Sequence, residues 1–382
     1  MRRELRAIAL VLGLVMLGGC GALAASENDG AVELFAVNVG KGDALILRVG
    51  ETACLIDAGK AWARGRVLSA LERLGIDRLD AVFLTHTDDD HAGGLDWLAN
   101  SGIPVGAWYA SAMYADVKKD KHPMVKAAGK QVNWLRRGDA VPLGNGATLN
   151  VLAPASRFDD DDDNSLVMML ESPQGRVLLT GDRELPEEAE LLGQGDDLKC
   201  ALLKAPNHGD GDTVSKAFAD ACAARIAVIS TDGAEKPGTP DPGVVSRLEA
   251  AGGSVVVTQD SELGILVTLA DGVAAAEYVD FDAPFAAVVS VIDVDAGDDT
   301  VTLRNDGGES ASLDGWYLYS DKGGEMMAFS DVSIAPGATL TVGTNFTKGD
   351  YDILWDDKKV IKKKNDAIRL YDRCGRLVSW MD

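Results

Sequence analysis

The chain has 382 residues, of which 60 are acidic, 37 are basic and only four are histidine, giving a net charge of −23. At roughly 100–200 residues per domain, this length predicts two domains. The proportions of hydrophobic (46%) and charged (25%) residues exclude wholesale disorder. The acidity argues against a protein that holds nucleic acid through a basic face alone, although a bound metal ion could bring a polyanion in locally.

Residues 1–25 have the form of a signal peptide. Three arginines precede an apolar run over 7–17, which is too short to cross a bilayer as a helix. Residues 17–20 read L-G-G-C and resemble a bacterial lipobox, which favours lipidation and membrane anchoring at Cys20. The A-x-A-like stretch at 22–24 leaves ordinary signal cleavage as the alternative. Either route predicts an exported protein, extracellular or at the cell surface.

Strands and helices alternate irregularly from residue 30 to residue 278, the first predicted domain. Runs of apolar and β-branched residues predict strands at 32–39, 44–49, 53–56, 81–84, 148–152, 165–171, 177–180, 201–205, 226–230, 255–258 and 264–269. Helical spacing predicts helices at 62–74, after Gly94, and at 124–135, 185–192, 214–223 and 244–251. Antiparallel neighbours mixed with helices favour a sandwich of sheets with helices outside.

The pattern changes in the second predicted domain, residues 286–382. Short strands separated by Gly and Asp turns predict a β-sandwich of immunoglobulin-like size. Trp316 and Trp355 are predicted core aromatics. The basic residues of 358–364 predict an exposed hairpin, with contact to nucleic acid or to an anionic surface as the alternative.

Four cysteines remain after Cys20. Cys54, Cys200 and Cys222 lie in apolar runs, whereas Cys374 does not. This placement favours buried free thiols, although disulfides stay open for an exported chain.

The strongest chemical signal is residues 85–94, which read T-H-T-D-D-D-H-A-G-G directly after a predicted strand. Two imidazoles and up to three carboxylates emerge within six residues, a donor set that suits zinc or manganese. The alternative is a solvated acidic turn with incidental histidines. Half of the chain's four histidines fall in this window, which favours a metal site.

This motif resembles the H-x-[HD]-x-D-H signature of the metallo-β-lactamase superfamily, in the form found in ComEC-type competence proteins. The opening strand at 35–44 is similar to that branch's D-V-G-Q-G-D-A strand, with Asn38 and Lys41 as departures. Further similar elements follow in the same order: L-I-D-x-G at 55–59, N-x-S-L-V at 164–167 (one residue short), L-L-T-G-D at 178–182 and L-K-x-x-H-H-G-S at 203–210.

The resemblance implies a four-layer αββα sandwich, of class α+β, that holds two divalent metal ions, zinc or manganese. In the implied ligand set, one metal would take His86 and Asp88, the other Asp90, His91 and His208, and Asp182 would bridge them. Asp90 could instead act catalytically by orienting the attacking water as a base. Supporting positions behind the ligands would be Asp57, Asn164 and Lys204.

Some residues depart from the family pattern or fall outside it. Asn207 and Asp210 replace an imidazole and a small hydroxyl of the last motif, which puts the strength of the metal site in doubt. His208 is the expected ligand there because it precedes the turn glycine. His122 is predicted to be a surface residue. The acidic run at 159–163 is predicted to be a solvated turn rather than a calcium loop, because it lacks the EF-hand glycine. Its closeness in sequence to Asn164 leaves a place at the rim of the active site as the alternative.

The second domain resembles a lamin-tail domain. The similar segments are 313–318, 334–340 and 365–372, which match its L-x-G-W-x-L strand, its I-x-P-G-x-x-L turn and its ending. That family is immunoglobulin-like, and in secreted bacterial proteins it often accompanies hydrolases.

Together the resemblances imply an exported metal-dependent hydrolase, a phosphodiesterase or nuclease acting on extracellular DNA or nucleotides. One alternative is a surface binding module with a catalytically weakened site. Another is a hydrolase of a different small ester or amide. No protein partner can be deduced.

Overall fold

The computed structural model describes residues 30–115, 122–129, 131–282, 288–362 and 366–382. The predicted signal peptide and Cys20 lie outside these residues.

Two large sheets form the body of the first domain. In the eight-stranded sheet the strands lie in the order β15 (Val273–Val279), β14 (Gly264–Ala270), β1 (Val32–Val37), β2 (Leu45–Val49), β3 (Thr52–Ile56), β4 (Leu79–Leu84), β5 (Val105–Ser111) and β6 (Val132–Leu135). In the seven-stranded sheet the order is β13 (Ser254–Val257), β12 (Ile226–Ile229), β11 (Leu202–Lys204), β10 (Gly175–Leu179), β9 (Val167–Ser172), β8 (Ala147–Ala153) and β7 (Ala140–Gly144).

Short helices cover the outer faces of the sheets. Their bounds are α1 (Arg64–Arg73), α2 (Asp89–Ala92), α3 (Leu95–Asn100), α4 (Pro123–Ala128), α5 (Leu185–Gln194), α6 (Lys216–Cys222) and α7 (Pro242–Ala250). One apolar core fills the space between the sheets, a second lies under α1 and α3, and a third lies under α5 to α7. The two sheets with helices on both outer faces form a four-layer αββα sandwich, as predicted. Within the described ranges, no helix has the length and apolar character needed to cross a membrane.

The segment around His122 differs from the sequence prediction. The helix expected over 124–135 ends at Ala128, and Val132–Leu135 form strand β6 instead. His122 is buried rather than on the surface. Its Nδ1 accepts a hydrogen bond from Met124 N–H at 3.2 Å, and its ring packs edge-on against Trp134 at 5.2 Å. The imidazole therefore caps α4 and fills the core.

The second domain consists of strands throughout its described part. One four-stranded sheet has the order β16 (Val289–Asp295), β17 (Thr300–Asn305), β22 (Thr339–Thr344) and β23 (Ile353–Trp355). The other has the order β20 (Met326–Ala328), β19 (Tyr317–Ser320), β24 (Ile368–Tyr371) and β25 (Leu377–Met381). A short pair, β18 (Ala311–Ser312) and β21 (Ser333–Ile334), accompanies them. A single apolar core joins the sheets, as a β-sandwich requires.

Trp355 is buried in this core, as predicted, and Trp316 packs against it while half-buried. The basic stretch differs from the expected exposed hairpin. Val360 and Ile361 are buried, and their N–H groups donate to the Asp299 carboxylate at 3.0 and 2.7 Å. Residues 363–365 of the stretch lie outside the described part of the chain. The four described cysteines are free thiols, and three of them are buried, as the sequence favoured.

The outer face of the β19–β24 sheet packs on the start of α1. Tyr371 stacks between Tyr317 and Trp62, with ring centroids 5.1 and 5.6 Å away, and the Tyr317 hydroxyl donates to Trp62 O at 2.6 Å. The backbones also meet, since a Cβ on Gly65 would lie 2.5 Å from Gly375 N. The two domains therefore contact each other through an aromatic stack and a glycine pair.

Candidate metal centre

The donor residues stand at strand ends on one edge of the two sheets. Asp57 follows β3, and the motif of residues 85–91 follows β4, which runs parallel to β3. In the other sheet Asp182 and His208 follow β10 and β11, also a parallel pair. Because parallel strands end at the same sheet edge, four loops far apart in sequence converge there.

Three buried imidazoles point the same ring nitrogen into this space. His91 Nδ1 lies 2.8 Å from Asp57 Oδ2, His208 Nδ1 lies 2.8 Å from Ser230 O, and His86 Nδ1 lies 3.1 Å from Thr85 Oγ1. Each partner can accept a hydrogen bond, which assigns the proton of the neutral ring to Nδ1. The Nε2 lone pair of each ring then points into the site and can bind a metal ion, which is the usual arrangement of metal-binding histidines.

The largest donor group contains four buried residues with donor atoms within 4.8 Å of one another: Asp90, His91, Asp182 and His208. Asp182 Oδ2 lies 3.1 Å from His91 Nε2 and 2.8 Å from His208 Nε2. Asp90 Oδ2 lies 3.5 Å from His208 Nε2. Two imidazoles and two carboxylates at these separations are a four-donor set of the kind that Zn²⁺ takes.

When the two rings are neutral, the donor atoms of this group cannot satisfy one another by hydrogen bonds, and their arrangement suits a bound cation. His91 Nε2 and His208 Nε2 face each other at 3.3 Å, so two neutral rings would oppose their lone pairs. Within the described part of the chain, the buried His86 Nε2 and Asp182 Oδ1 atoms have no hydrogen-bond partner. Unsatisfied buried acceptors are costly, and a bound divalent ion would satisfy them.

The electrostatics agree with a cation site. Burial alone would lower the pKa of His91, but the Asp182 and Asp57 carboxylates outweigh it and raise that pKa well above its usual range. Burial would raise the pKa of Asp182, but His208 and His91 outweigh it and hold that pKa well below its usual range. Burial lowers the pKa of His86 to about 3, and the nearby His91 ring is the second largest cause of this shift. A proton at His91 thus competes with a metal for the same carboxylates.

Asp57 joins the loop after β3 to the loop after β4 in the same sheet. Its Oδ1 accepts from Thr85 N–H and its Oδ2 from the Thr85 hydroxyl, both at 2.8 Å, while Oδ2 also contacts His91 Nδ1. The backbone at Asp57 is left-handed, with φ 58°, which turns the carboxylate back under the loop. These contacts place Asp57 behind His91, and its supporting role at a metal stays a prediction.

Lys204 lies under the site rather than in it. Its buried ammonium pairs with the equally buried Asp43 carboxylate at 2.5 Å. The Asp43 backbone holds the neighbouring turn, since its N–H donates to Asp90 O at 3.1 Å and its O accepts from Gly59 N–H at 2.7 Å. Asp43 was absent from the predicted site residues, although the G-D step of the opening strand was visible in the sequence.

Lys41 brings a positive charge to the mouth of the site. Its Nζ lies 2.5 Å from Asp90 Oδ2, and its side chain is partly exposed. Burial would lower the pKa of Lys41, but Asp182 and Asp90 outweigh it and raise that pKa. Lys41 stands where the similar family strand carries Gln, so the charge is a feature of this chain.

The structure differs from two predictions about the loops. Among the described residues Asp88 belongs to none of the donor groups, and it stands instead at the N-terminus of α2. The acidic run is not a simple solvated turn: Asp163 is buried and accepts from Glu184 N–H at 2.9 Å, and Asp162 joins a donor group with His86 and Asp182.

The two departures in the last motif have different surroundings. Asn207 has left-handed φ and ψ of 37° and 51°, a conformation that Asn tolerates, and its side chain points toward Asp162. Asp210 forms an ion pair with Lys236 at the rim. Neither residue displaces His208 from the donor group.

Comparison with known proteins finds a family match in each of the two domains. Residues 37–221 match the metallo-beta-lactamase superfamily, and residues 283–382 match the Lamin Tail Domain. Competence protein ComA of Neisseria gonorrhoeae is 28% identical over 234 residues, 60% of this chain and 31% of that protein. ComE operon protein 3 of Bacillus subtilis is 25% identical over 226 residues, 53% of this chain and 28% of that protein. The match therefore spans less than a third of either relative.

Among solved structures, the metallo-beta-lactamase fold protein YhfI of Bacillus subtilis aligns at 15% identity with a TM-score of 0.44. That alignment covers 63% of this chain and 99% of YhfI.

Proposed function

Because the chain carries a metallo-beta-lactamase superfamily domain followed by a lamin tail domain, we propose that it is an exported metal-dependent phosphodiesterase that acts on DNA or nucleotides. The observation that carries the proposal is the convergence of three imidazole Nε2 atoms with the carboxylates of Asp90 and Asp182 at one sheet edge.

The donor set fits two divalent cations, with zinc and manganese as the candidates. Asp90, His91, Asp182 and His208 would hold one cation. When bound, such ions lower the pKa of a coordinated water and neutralise charge that develops on a phosphoryl oxygen. The protein's own contribution is to fix the imidazoles through Asp57, Thr85 and Ser230.

The two charged side chains at the mouth, Lys41 and Asp90, have different parts in this proposal. The Lys41 ammonium can attract a phosphate oxygen to the mouth of the site. As the alternative to binding a cation, Asp90, which pairs with Lys41 at 2.5 Å, can orient an attacking water or accept its proton. A phosphodiester offers both the negative charge and the water-accessible phosphorus that this pair requires.

The proposed substrate class and the proposed location of the protein rest on its sequence. One similar protein is named a competence protein, which supports DNA as the substrate. The signal-peptide pattern of residues 1–25 supports export, and Cys20 is the proposed lipid anchor. The alternative of a weakened binding module receives no support from Asn207 and Asp210, because His208 keeps its place among the donors.

The test is hydrolysis by the full chain after chelation and reconstitution with Mn²⁺ or Zn²⁺. Turnover of a single-stranded oligodeoxynucleotide and of bis(p-nitrophenyl) phosphate is expected. His86→Ala and Asp182→Ala should each lower kcat/KM by more than about 100-fold, since even residues behind metal ligands are worth about 10–100-fold.

Asp159→Asn is the matched control, because it removes one exposed carboxylate from the same edge of the domain. Nitrocefin separates phosphodiester from β-lactam hydrolysis, and no turnover of it is expected. A wild-type protein that binds no divalent metal, or ligand variants that keep full activity, would refute the proposal.

A further inference from the structure

A second set of donor atoms lies beside the first. His86 Nε2 and Asp182 Oδ1 are fully buried, and within the described residues neither has a hydrogen-bond partner. Asp182 meets the two other imidazoles through Oδ2, which leaves Oδ1 for a different ligand. Asp162 Oδ1 lies 3.6 Å from His86 Nε2, too far for a hydrogen bond, and the donor atoms of all three residues lie within 4.8 Å of one another.

Asn207 acts on Asp162 rather than on the donor space directly. The Asn207 amide donates to Asp162 Oδ2 at 3.2 Å and to Glu184 Oε1 at 3.1 Å. Position 207 is where the similar family loop carries an imidazole. Here the amide reaches a carboxylate from a different loop, and that carboxylate turns its other oxygen toward His86.

The acidic loop is held in place for this contact. Asn164 accepts from Phe158 N–H at 2.9 Å and donates to the carbonyls of Phe158 and Asp160 at 3.0 and 2.6 Å. The Tyr114 hydroxyl donates to Asp161 O at 2.7 Å. These bonds close the loop on itself and fasten it to the neighbouring sheet, so Asp162 has a defined position.

We propose that Asp162 is a ligand of a second divalent cation, together with His86 and Asp182, and that Asn207 positions it. The carboxylate takes the place of the imidazole that position 207 lacks, and of Asp88, which stands outside the donor group. The assignment rests on the proposed metal-dependent hydrolase, because it completes the ligand set of the same site. One imidazole and two carboxylates form a harder donor set than that of the first cation, which favours Mn²⁺ here.

The test is metal binding rather than activity. Isothermal titration of the chelated full chain with Mn²⁺ should give two cations per chain. Asp162→Asn should bind one, or bind the second at least about 10-fold more weakly, and the paramagnetic resonance signal should change from that of a coupled pair to that of an isolated Mn²⁺ ion. Asp159→Asn, an exposed carboxylate of the same run, and Asp88→Asn should both keep two.

Restoring the imidazole provides an independent check. The double variant Asp162→Asn with Asn207→His should regain the second cation, and circular dichroism of each chelated variant reports whether it has folded. An Asp162→Asn protein that binds two cations with wild-type affinity overturns the assignment, as does a folded one that binds none. A wild-type protein that binds one cation also overturns it but leaves hydrolysis possible, whereas a wild type that binds none refutes the proposed function itself.

Discussion

The Lys204–Asp43 pair offers a quantitative test of how the site is supported. The two side chains are each 1% exposed and 2.5 Å apart, at the end of β11 and beneath the metal motif. Lys204→Met keeps an apolar stem of similar length but removes the ammonium. The Asp43 carboxylate would then be buried without its counter-charge.

Breaking such a buried pair costs about 3–5 kcal/mol, because one charge loses its partner and stays desolvated. At roughly 2–4 °C of Tm per kcal/mol for a domain of this size, the chelated variant should melt about 6–20 °C below wild type. Urea unfolding followed by tryptophan fluorescence measures the free energy directly. The double variant Lys204→Met with Asp43→Asn should recover most of the lost free energy of unfolding, since neither member of the pair then carries a charge.

Lys216→Met is the matched control. Lys216 pairs with Asp220 at the same 2.5 Å, but the side chains are 78% and 52% exposed. Exposed pairs contribute about 0–1 kcal/mol, so this variant should be close to wild type. If Lys204→Met costs no more than Lys216→Met, or if the double variant is less stable than Lys204→Met alone, the reasoning about the buried pair is wrong.

Three further results are expected. Addition of Mn²⁺ at about 100 times its Kd should stabilise the chelated wild type by about 2.7 kcal/mol, and a Tm independent of metal would contradict the site. Burial raises the pKa of Glu187 in the folded state well above its usual range. The unfolded chain therefore releases this proton first, and the folded state loses stability as pH rises above about 4.3. Glu187→Gln should therefore gain on wild type in urea unfolding between pH 5 and pH 8, and an equal difference at both pH values would count against this. Tyr371→Ala should remove the stack on Trp62 and Tyr317, so that calorimetry resolves two unfolding transitions where wild type has one; a single unchanged transition would refute that role.

The fold and most of the donor set could be predicted because each motif is local. Residues 85–91 follow one strand, and the strand-ending motifs at Asp57 and Asp182 are equally short, so their order along the chain sufficed. Asp162 could not be predicted in the same way. An acidic run is usually solvated, and only the meeting of two loops 45 positions apart brings Asn207 to Asp162.

Two other residues show where sequence patterns fail. His122 stands between Lys and Pro, which indicates a surface, yet Tyr114 and Trp134 from other segments enclose it. Asp43 lies in a glycine-rich turn typical of exposed residues, and it is buried because the ammonium of Lys204 arrives from the other sheet. The partner that buries Asp43 is distant in sequence, whereas those of His122 are near in sequence but belong to other elements.

The glycine pair between the domains limits how this protein can be rearranged. A Cβ on Gly65 would lie 2.5 Å from Gly375 N, and one on Gly375 would lie 2.7 Å from Arg66 N. Any larger residue at either position would push the two backbones apart and with them the aromatic stack. The lamin tail domain therefore depends on this close backbone contact and cannot be exchanged freely. A lamin tail domain taken from another chain would need a glycine at the same turn in order to pack against the first domain.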